Sequence, residues 1–204
     1  MQGSCETASY EWLREVSEEV DRETRLAWLV DHYQHPRHRG ALEGADVRMP
    51  GGNPGCGDLL TAHLKAAADA DRVEALTFEG EGCTLSQAAA SILAERVNKQ
   101  HPTFAEILAF TYEEMMDLLG RDLVSSRPRC ATLALGTLKA AVRRVDMDRR
   151  LRAAGRSEAE IHALRGEAPP EDAGLVFGER AAAAAADRGA RSPEDLAPDG
   201  SSRA

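Results

Sequence analysis

The sequence has no apolar run long enough to cross a membrane and no excess of basic residues. A spanning helix needs about 20 consecutive apolar residues, and the apolar runs here are far shorter. Lysines and arginines number 25 against 34 aspartates and glutamates, for a net charge of -9. No basic face is therefore expected to neutralise nucleic-acid phosphates or anionic lipid headgroups. We expect neither nucleic acid nor membranes as partners, which leaves small molecules, metals and other proteins.

The N-terminal segment lacks the composition of a signal or transit peptide. Residues 1–25 carry seven acidic side chains, whereas targeting peptides are apolar or basic. We therefore expect a cytosolic, that is cytoplasmic, location. The chain also has only four cysteines. In a reducing compartment these are more often metal ligands or nucleophiles than partners in disulfides.

The apolar pattern predicts one folded domain with a tail on each side. The 204 residues and 43% hydrophobic content are enough for a single core of ordinary size. Residues 25–155 contain the helix and strand patterns. Residues 1–24 form an acidic arm, and residues 156–204 are rich in alanine, proline and glycine, so we expect the second tail to be loosely ordered.

Alternating apolar and polar residues predict a three-stranded antiparallel sheet. Residues 59–66 alternate with a period of two, and residues 73–78 form a second strand. The short polar link at 67–72 predicts a hairpin between them, and the residues before Pro50 supply the third strand. His63 falls on the polar face, where we expect it to be exposed to solvent.

The first predicted helix starts at Leu26 and is ended by Pro36 and Gly40. Its apolar face is predicted to contain Leu26, Leu29, Val30 and Tyr33. Three histidines follow at three-residue steps, namely His32, His35 and His38. Because Pro36 breaks the helix that would align them on one metal ion, we interpret all three as solvated side chains.

Helical spacing returns after Cys83 and again from near Cys130. Between these stretches, Thr-x-x-Glu capping boxes begin at Thr103 and Thr111 and favour two short helices as much as one long helix. An irregular polar link is expected at residues 121–129. With the sheet, these helices predict an α+β fold.

Three cysteines and one aspartate form a candidate metal site. Cys56 and Asp58 lie two residues apart in an extended, glycine-rich loop, so their side chains point the same way. Cys83 and Cys130 each lie at a predicted helix start. Three thiolates and a carboxylate supply the four donors of a tetrahedral site for zinc, or for iron with sulfur. Cys5 has no ligand-like neighbour and is interpreted as a free surface thiol.

The helix starts also predict reactive thiols. The positive end of a helix dipole lowers the pKa of a nearby thiol, so we expect Cys83 and Cys130 to ionise readily. Arg129, beside Cys130, either offsets the negative charge of the four donors or is merely exposed. The sequence favours neither interpretation.

Two alternatives compete with a working metal site. A closed zinc site would only stabilise the fold, but such sites usually draw on close Cys-x-x-Cys pairs, and here single thiols come from three separate places. A protease-like catalytic thiol needs a histidine base. No histidine can be placed near these cysteines from the sequence.

Three ordered motifs resemble the IscU/SufU family of iron-sulfur cluster assembly scaffolds, which is NifU N-terminal-like. They are Asn-Pro-Gly-Cys-Gly-Asp at 53–58, Gly-Glu-Gly-Cys-Thr-Leu-Ser at 80–86 and Asp-His-Tyr-Gln-His-Pro-Arg at 31–37. The resemblance covers about residues 26–145. It implies a compact α+β domain, with helices packed on a three-stranded antiparallel sheet and the three cysteines gathered at one end.

The resemblance also implies two functional hypotheses. In the first, Cys56, Cys83 and Cys130 bind a transient iron-sulfur cluster on a non-enzymatic scaffold, which passes it to downstream apo iron-sulfur proteins. In the second, the same thiols and Asp58 bind a zinc ion, and the protein is a sulfurtransferase partner of a cysteine desulfurase. Both take sulfur from the desulfurase as persulfide, with Cys56 the possible acceptor.

The residues before the third cysteine bear on the subtype. IscU-type members carry His-Cys there, preceded by a Leu-Pro-Pro-Val-Lys segment, whereas this chain has Ser-Ser-Arg-Pro-Arg at 125–129. A basic residue before the third cysteine is typical of SufU. SufU proteins usually also have an insertion, for which the 46 residues between Cys83 and Cys130 are too few. Both hypotheses stay open.

Overall fold

In the computed structural model, which describes residues 21–165, three antiparallel strands form a sheet of order β1-β2-β3. They are β1 (Val47–Asn53), β2 (Asp58–Ala66) and β3 (Val73–Glu81). The helices are α1 (Arg22–Gln34), α2 (Thr84–Gln100), α3 (Phe104–Ala109), α4 (Tyr112–Leu119), α5 (Arg121–Val124), α6 (Pro128–Ala153) and α7 (Glu158–Arg165). The predicted α+β fold with a three-stranded antiparallel sheet is confirmed.

The central strand β2 has the predicted apolar face but a more buried polar face. Leu60, Ala62, Leu64 and Ala66 are all buried. His63, expected in solvent, is only 3% exposed, so that expectation is wrong. Its cross-strand neighbours Thr77 and Glu79 share its face of the sheet, and the Nε2 atom of His63 lies 2.8 Å from a carboxylate oxygen of Glu79, without the alignment of a hydrogen bond.

Helix α1 starts earlier than predicted and buries a different face. Asp21 caps it by accepting the backbone N–H groups of Glu23 and Thr24, so the helix includes residues assigned to the acidic arm. Leu29 and His32 are its buried residues, whereas Leu26, Val30 and Tyr33 remain 36–45% exposed. The predicted face is therefore wrong, because α1 packs against α2 through the side that carries Leu29 and His32.

The three histidines near the end of α1 do not share one environment. His35 and His38 are exposed, as predicted. His32 is 1% exposed, and its Nδ1 atom lies 2.8 Å from the Ser91 hydroxyl on α2. The interpretation of His32 as a solvated residue is wrong, because its hydrogen-bonding partner comes from a helix 59 residues away in the sequence.

Helices α2 and α6 form the main helical layer of the core. α2 packs on β3, while α6, which is 26 residues long, packs on β1 and β2. At Gly51 the contact between β1 and α6 is so close that a Cβ atom would overlap the Oγ1 atom of Thr137. Glycine therefore lets the strand approach the helix directly.

The segment between α2 and α6 is more helical than predicted. Both predicted capping boxes are present, Thr103 with Glu106 and Thr111 with Glu114. Of the two arrangements that the sequence left open, the structure has the two short helices. The irregular link expected at 121–129 instead begins with the single turn of α5, which buries Val124. The buried valine explains why this turn packs on the domain rather than lying in solvent.

At the C-terminal side, the described structure extends past residue 155. Helix α7 follows α6 and buries Ile161, which is 1% exposed. Residues 1–20, with Cys5, and residues 166–204 lie outside the described residues. Within residues 21–165, no helix is both long and apolar enough to span a membrane.

Candidate metal centre

Three chain segments meet at one end of the sheet and bring the predicted site residues together. The β1–β2 turn carries Cys56 and leads into Asp58, the first residue of β2. Cys83 is the N-cap residue of α2, and Cys130 lies in the first turn of α6. One ligand atom each of Cys56, Asp58 and Cys130 lies within 4.8 Å of the others. The sulfur atoms of Cys56 and Cys130 are 3.3 Å apart.

Cys83 joins this group through Asp58. Its backbone N–H donates to Asp58 Oδ1 at 2.8 Å, and its sulfur lies 3.7 Å from Asp58 Oδ2. A Cβ atom on Gly82 would lie 2.8 Å from Asp58 Oδ1, so glycine allows this loop to approach the carboxylate. Of the four predicted ligands, three thus form one compact group, and the fourth contacts its carboxylate. The full four-donor set stays a prediction.

The three thiols of the site differ in their exposure to solvent. Cys56 is exposed, Cys83 is half-buried, and Cys130 is buried. Asp58 is also buried, at 1% exposed. An incoming reagent therefore reaches the Cys56 sulfur first.

Burial outweighs the helix dipole at Cys130. Desolvation raises the pKa of the Cys130 thiol strongly, and its interactions with Asp58 and Cys56 and the nearby charge of Cys83 add to this effect. The prediction that Cys130 ionises readily because it begins a helix is wrong for the protein without a metal. A bound divalent cation reverses this balance, since it attracts the thiolate form. Arg129, the residue before Cys130 in α6, is exposed.

Asn53, the last residue of β1, was missed by the sequence analysis. Its side-chain Nδ2 donates to the Cys130 sulfur at 3.3 Å, and its Oδ1 accepts the backbone N–H of Gly55 at 3.2 Å. The signal present in the sequence was an asparagine opening an Asn-Pro-Gly turn. That signal predicts the contact with Gly55 but not the contact with Cys130.

Ser86, one turn into α2, is a second residue that the sequence analysis did not single out. It is fully buried, donates its hydroxyl to the Cys83 carbonyl at 3.0 Å and lies 3.7 Å from the Cys83 sulfur. It fixes the start of α2 around the thiol.

The donor set fits a thiophilic metal. Thiolates are soft ligands that suit zinc and iron, and a single carboxylate is compatible with either. The buried Asn53 amide adds an N–H donor to one sulfur. Surrounding groups of this kind commonly orient metal ligands.

Comparison with known proteins agrees with this arrangement. The family model described as NifU-like N terminal domain matches residues 27–151. The iron-sulfur cluster assembly scaffold protein IscU of Streptococcus pyogenes serotype M1 is 31% identical over 134 residues, covering 58% of this chain and 82% of that protein. The zinc-dependent sulfurtransferase SufU of Bacillus subtilis is 31% identical over 129 residues, covering 56% and 86%.

Solved structures give the same fold. A hypothetical protein with a known crystal structure is 30% identical, with a TM-score of 0.50 over 59% of this chain and 98% of that one. The N-terminal part of a nitrogen-fixing NifU-like protein from Brucella abortus has a TM-score of 0.51 over 59% and 92%. At 20% identity the latter supports the fold alone. The resemblance carried by the three motifs is confirmed, and the chain belongs to the NifU-like N-terminal domain family.

Proposed function

We propose that this protein is a scaffold for iron-sulfur cluster assembly that takes its sulfur from a cysteine desulfurase. One observation carries the proposal. Two thiols and a carboxylate, from Cys56, Asp58 and Cys130, lie within 4.8 Å of one another, and Cys83 contacts that carboxylate. Relatives named as cluster scaffolds in the same family support it. The cluster is the cargo of such a protein, destined for apo iron-sulfur proteins.

We assign the sulfur-accepting step to Cys56, because it is the exposed thiol of the group. Its thiolate attacks the outer sulfur of a persulfide on the desulfurase. A sulfur–sulfur bond forms at Cys56 while the bond to the desulfurase cysteine breaks, and that cysteine leaves as a thiolate. Cys83, Cys130 and Asp58 then remain to bind iron, which is supplied from outside with the electrons that the assembly needs.

A second candidate function is that of a zinc-dependent sulfur acceptor, a sulfurtransferase partner of the desulfurase. The observation that favours it is the carboxylate among the thiols, together with the basic residue Arg129 directly before Cys130, as in the SufU pattern. Cys56, Asp58, Cys83 and Cys130 would bind the zinc ion. Its positive charge would hold the thiols in their ionised form.

One experiment separates these functions. The full chain is purified without added metal, its zinc is measured, and it is incubated anaerobically with a cysteine desulfurase, cysteine and ferrous iron. A scaffold acquires the visible absorption of a cluster. A zinc-dependent acceptor contains about one zinc ion and gains persulfide by mass without forming a cluster.

Variants make the assignment specific. Cys56→Ser is expected to abolish persulfide uptake, and Cys5→Ser is the matched control that keeps it. A parent protein that gains neither persulfide nor cluster would exclude both functions.

Replacing the carboxylate tests its role. Asp58 is the hardest of the four donors toward a thiophilic ion, so it is the first to yield its place to another ligand. We expect Asp58→Ala to retain metal or cluster longer than the parent, yet to transfer sulfur more slowly. Retention is followed by chelator challenge, and transfer by sulfide release.

The Asp58→Asn variant is the control for structure. Its amide oxygen still accepts the Cys83 N–H that Asp58 accepts at 2.8 Å, whereas alanine leaves that donor unpaired. If Asp58→Ala equals the parent in retention and transfer, Asp58 acts only in the fold.

A further inference from the structure

Asn53 connects two of the three thiols of the site, those of Cys56 and Cys130, through four hydrogen bonds. Its backbone carbonyl accepts the N–H groups of Cys56 and Gly57, at 3.1 and 2.8 Å. Its side-chain oxygen accepts the N–H of Gly55, and its side-chain nitrogen donates to the sulfur of Cys130. The turn that carries Cys56 and the helix that carries Cys130 are therefore oriented by the same residue.

The position of Asn53 leaves its amide little freedom. Asn53 is 2% exposed, so water does not compete for its donor. It pairs directly with Asp58 in the register of β1 and β2, which fixes its backbone against a third site residue. Because the Asn53 amide is buried and its backbone is held in the sheet, its hydrogen bond to the Cys130 sulfur has a defined direction and length.

We propose that Asn53 is a positioning residue of the metal centre, which orients the Cys130 sulfur and withdraws charge from it by an N–H···S hydrogen bond. The inference rests on the proposed function in that it assumes that Cys130 binds a metal or cluster. Surrounding hydrogen bonds of this kind orient ligands, and their loss typically weakens metal binding about 10- to 100-fold. Hydrogen bonds to ligand sulfurs also tune their electron donation.

The informative variant is Asn53→Asp. Aspartate has the same shape, and one of its oxygens still accepts the Gly55 N–H. The other oxygen replaces the donor and turns a negative charge toward the Cys130 sulfur. The matched control is Asn98→Asp, on α2, because Asn98 also makes side-chain hydrogen bonds in both directions, to the N–H and C=O of Leu76. It also donates to the Ala94 carbonyl, so its three partners are all backbone groups and no thiol is involved.

The test uses the full chain and cobalt(II) as the probe, titrated anaerobically into parent and variants. Thiolate-to-cobalt charge-transfer absorption reports the electron density on the sulfur. We expect Asn53→Asp to bind cobalt at least about 10-fold more weakly and to shift the charge-transfer band to longer wavelength. Asn98→Asp is expected to keep the affinity and band position of the parent. A purely structural role for Asn53 would weaken binding without moving the band.

A second measurement needs no variant and applies even if Asn53→Asp does not fold. In the parent loaded with ¹¹³Cd, the side-chain amide protons of Asn53 are expected to show scalar coupling to the metal across the sulfur. An uncoupled amide, or an Asn53→Asp band identical to the parent's, would overturn the role of Asn53 alone. A parent that shows no thiolate-to-cobalt band at all would overturn the metal centre and this inference together.

Discussion

At the scale of single residues, His32 shows how burial fixes the charge of a side chain. Burial, followed by the nearby Arg37, lowers the pKa of His32 from 6.5 to about 4, although Glu95 acts in the opposite direction. The ring is therefore neutral at physiological pH. We assign its proton to Nε2, which lies 3.5 Å from a carboxylate oxygen of Glu95. Nδ1 then accepts the Ser91 hydroxyl, whose oxygen accepts the Arg37 backbone N–H.

The lowered pKa makes stability depend on pH. Between pH 6.5 and about 4, the unfolded chain binds a proton at His32 that the folded protein excludes. The contribution of His32 is therefore complete above pH 6.5 and is lost as the pH falls toward 4. The free energy of unfolding should fall by up to about 3 kcal/mol across this range, and His32→Gln should remove that part of the slope.

Urea unfolding at several pH values between 4.5 and 7.5 measures this slope. His38→Gln is the matched control, since the side chain of His38 is exposed and the substitution there removes an imidazole without changing the core. Burial raises the pKa of Glu95, but the hydrogen bond with Lys99 and the charges of Lys99, His32 and Arg37 together lower it below its usual value. If His32→Gln shows the same dependence of the free energy of unfolding on pH as the parent, the His32 ring binds its proton equally well in the folded and unfolded protein.

At the scale of elements, the contact of β1 with α6 sets the position of the site. Gly51, two residues before Asn53, lies directly against Thr137 of α6. A Cβ atom there would overlap Thr137 Oγ1 and lie 3.2 Å from the Cβ and Cγ2 atoms of Thr137. Thr137 cannot turn away easily, because it is buried and its hydroxyl donates to the Leu133 carbonyl at 2.9 Å.

Gly51→Ala should therefore destabilise the protein by about 1–3 kcal/mol, the usual cost of overpacking. Gly52→Ala is the control next to it, because its Cβ would meet only a flexible Leu59 side-chain atom at 3.4 Å and the Asp58 carbonyl oxygen at 3.6 Å. Thermal unfolding of both variants gives the comparison. If the two variants lose the same amount of stability, β1 can move away from α6 to make room for the added methyl group at no extra cost.

Elements and site residues could be predicted where their signals are local. The alternation in β2 and the capping boxes at Thr103 and Thr111 depend on neighbours a few residues away, and each was found. The sequence failed where a distant partner decides the environment. His32 is buried by Ser91, and Asn53 contacts Cys130 across 77 residues. The thiols were found because cysteine beside glycine is a chemical signal, but their different exposures follow from packing.

At the scale of the whole molecule, helices α1 and α7 extend the folding unit beyond the residues predicted from the sequence. The sequence suggested residues 25–155, whereas Asp21 caps α1 and Ile161 is buried from α7. We expect a protein trimmed to residues 21–165 to fold and bind metal like the full chain. A protein trimmed to 25–155 should be less stable, since it loses a helix cap, about 1 kcal/mol, and a buried isoleucine, about 2 kcal/mol.

The melting temperature and the metal content of the two trimmed proteins, each compared with the full chain, test this prediction. A 21–165 protein that is insoluble or binds no metal would show that residues outside this range take part in folding. Equal melting temperatures for the two would show that α7 adds nothing to the domain.

The two ends of α6 are held in different ways. Near its C-terminal end, the Arg149 guanidinium donates to the Ala70 carbonyl and the Asp71 carboxylate, both at 2.9 Å, and also to the Ala67 carbonyl. The β2–β3 turn is thereby fastened to the helix about 28 Å along its axis from Cys130. At the other end, Cys130 contacts the Cys56 sulfur of the β1–β2 turn and the side-chain amide of Asn53 before it.

Metal removal should therefore loosen the protein at one end only. Backbone amides in residues 51–58 and 82–87 should exchange with deuterium faster in the apo protein than in the metal-loaded protein. Amides in residues 65–73, beside the Arg149 contacts, should exchange at the same rate in both. The end of the domain beside Arg149 would thus stay rigid, while the end that carries the thiols opens and closes as its cargo leaves and binds.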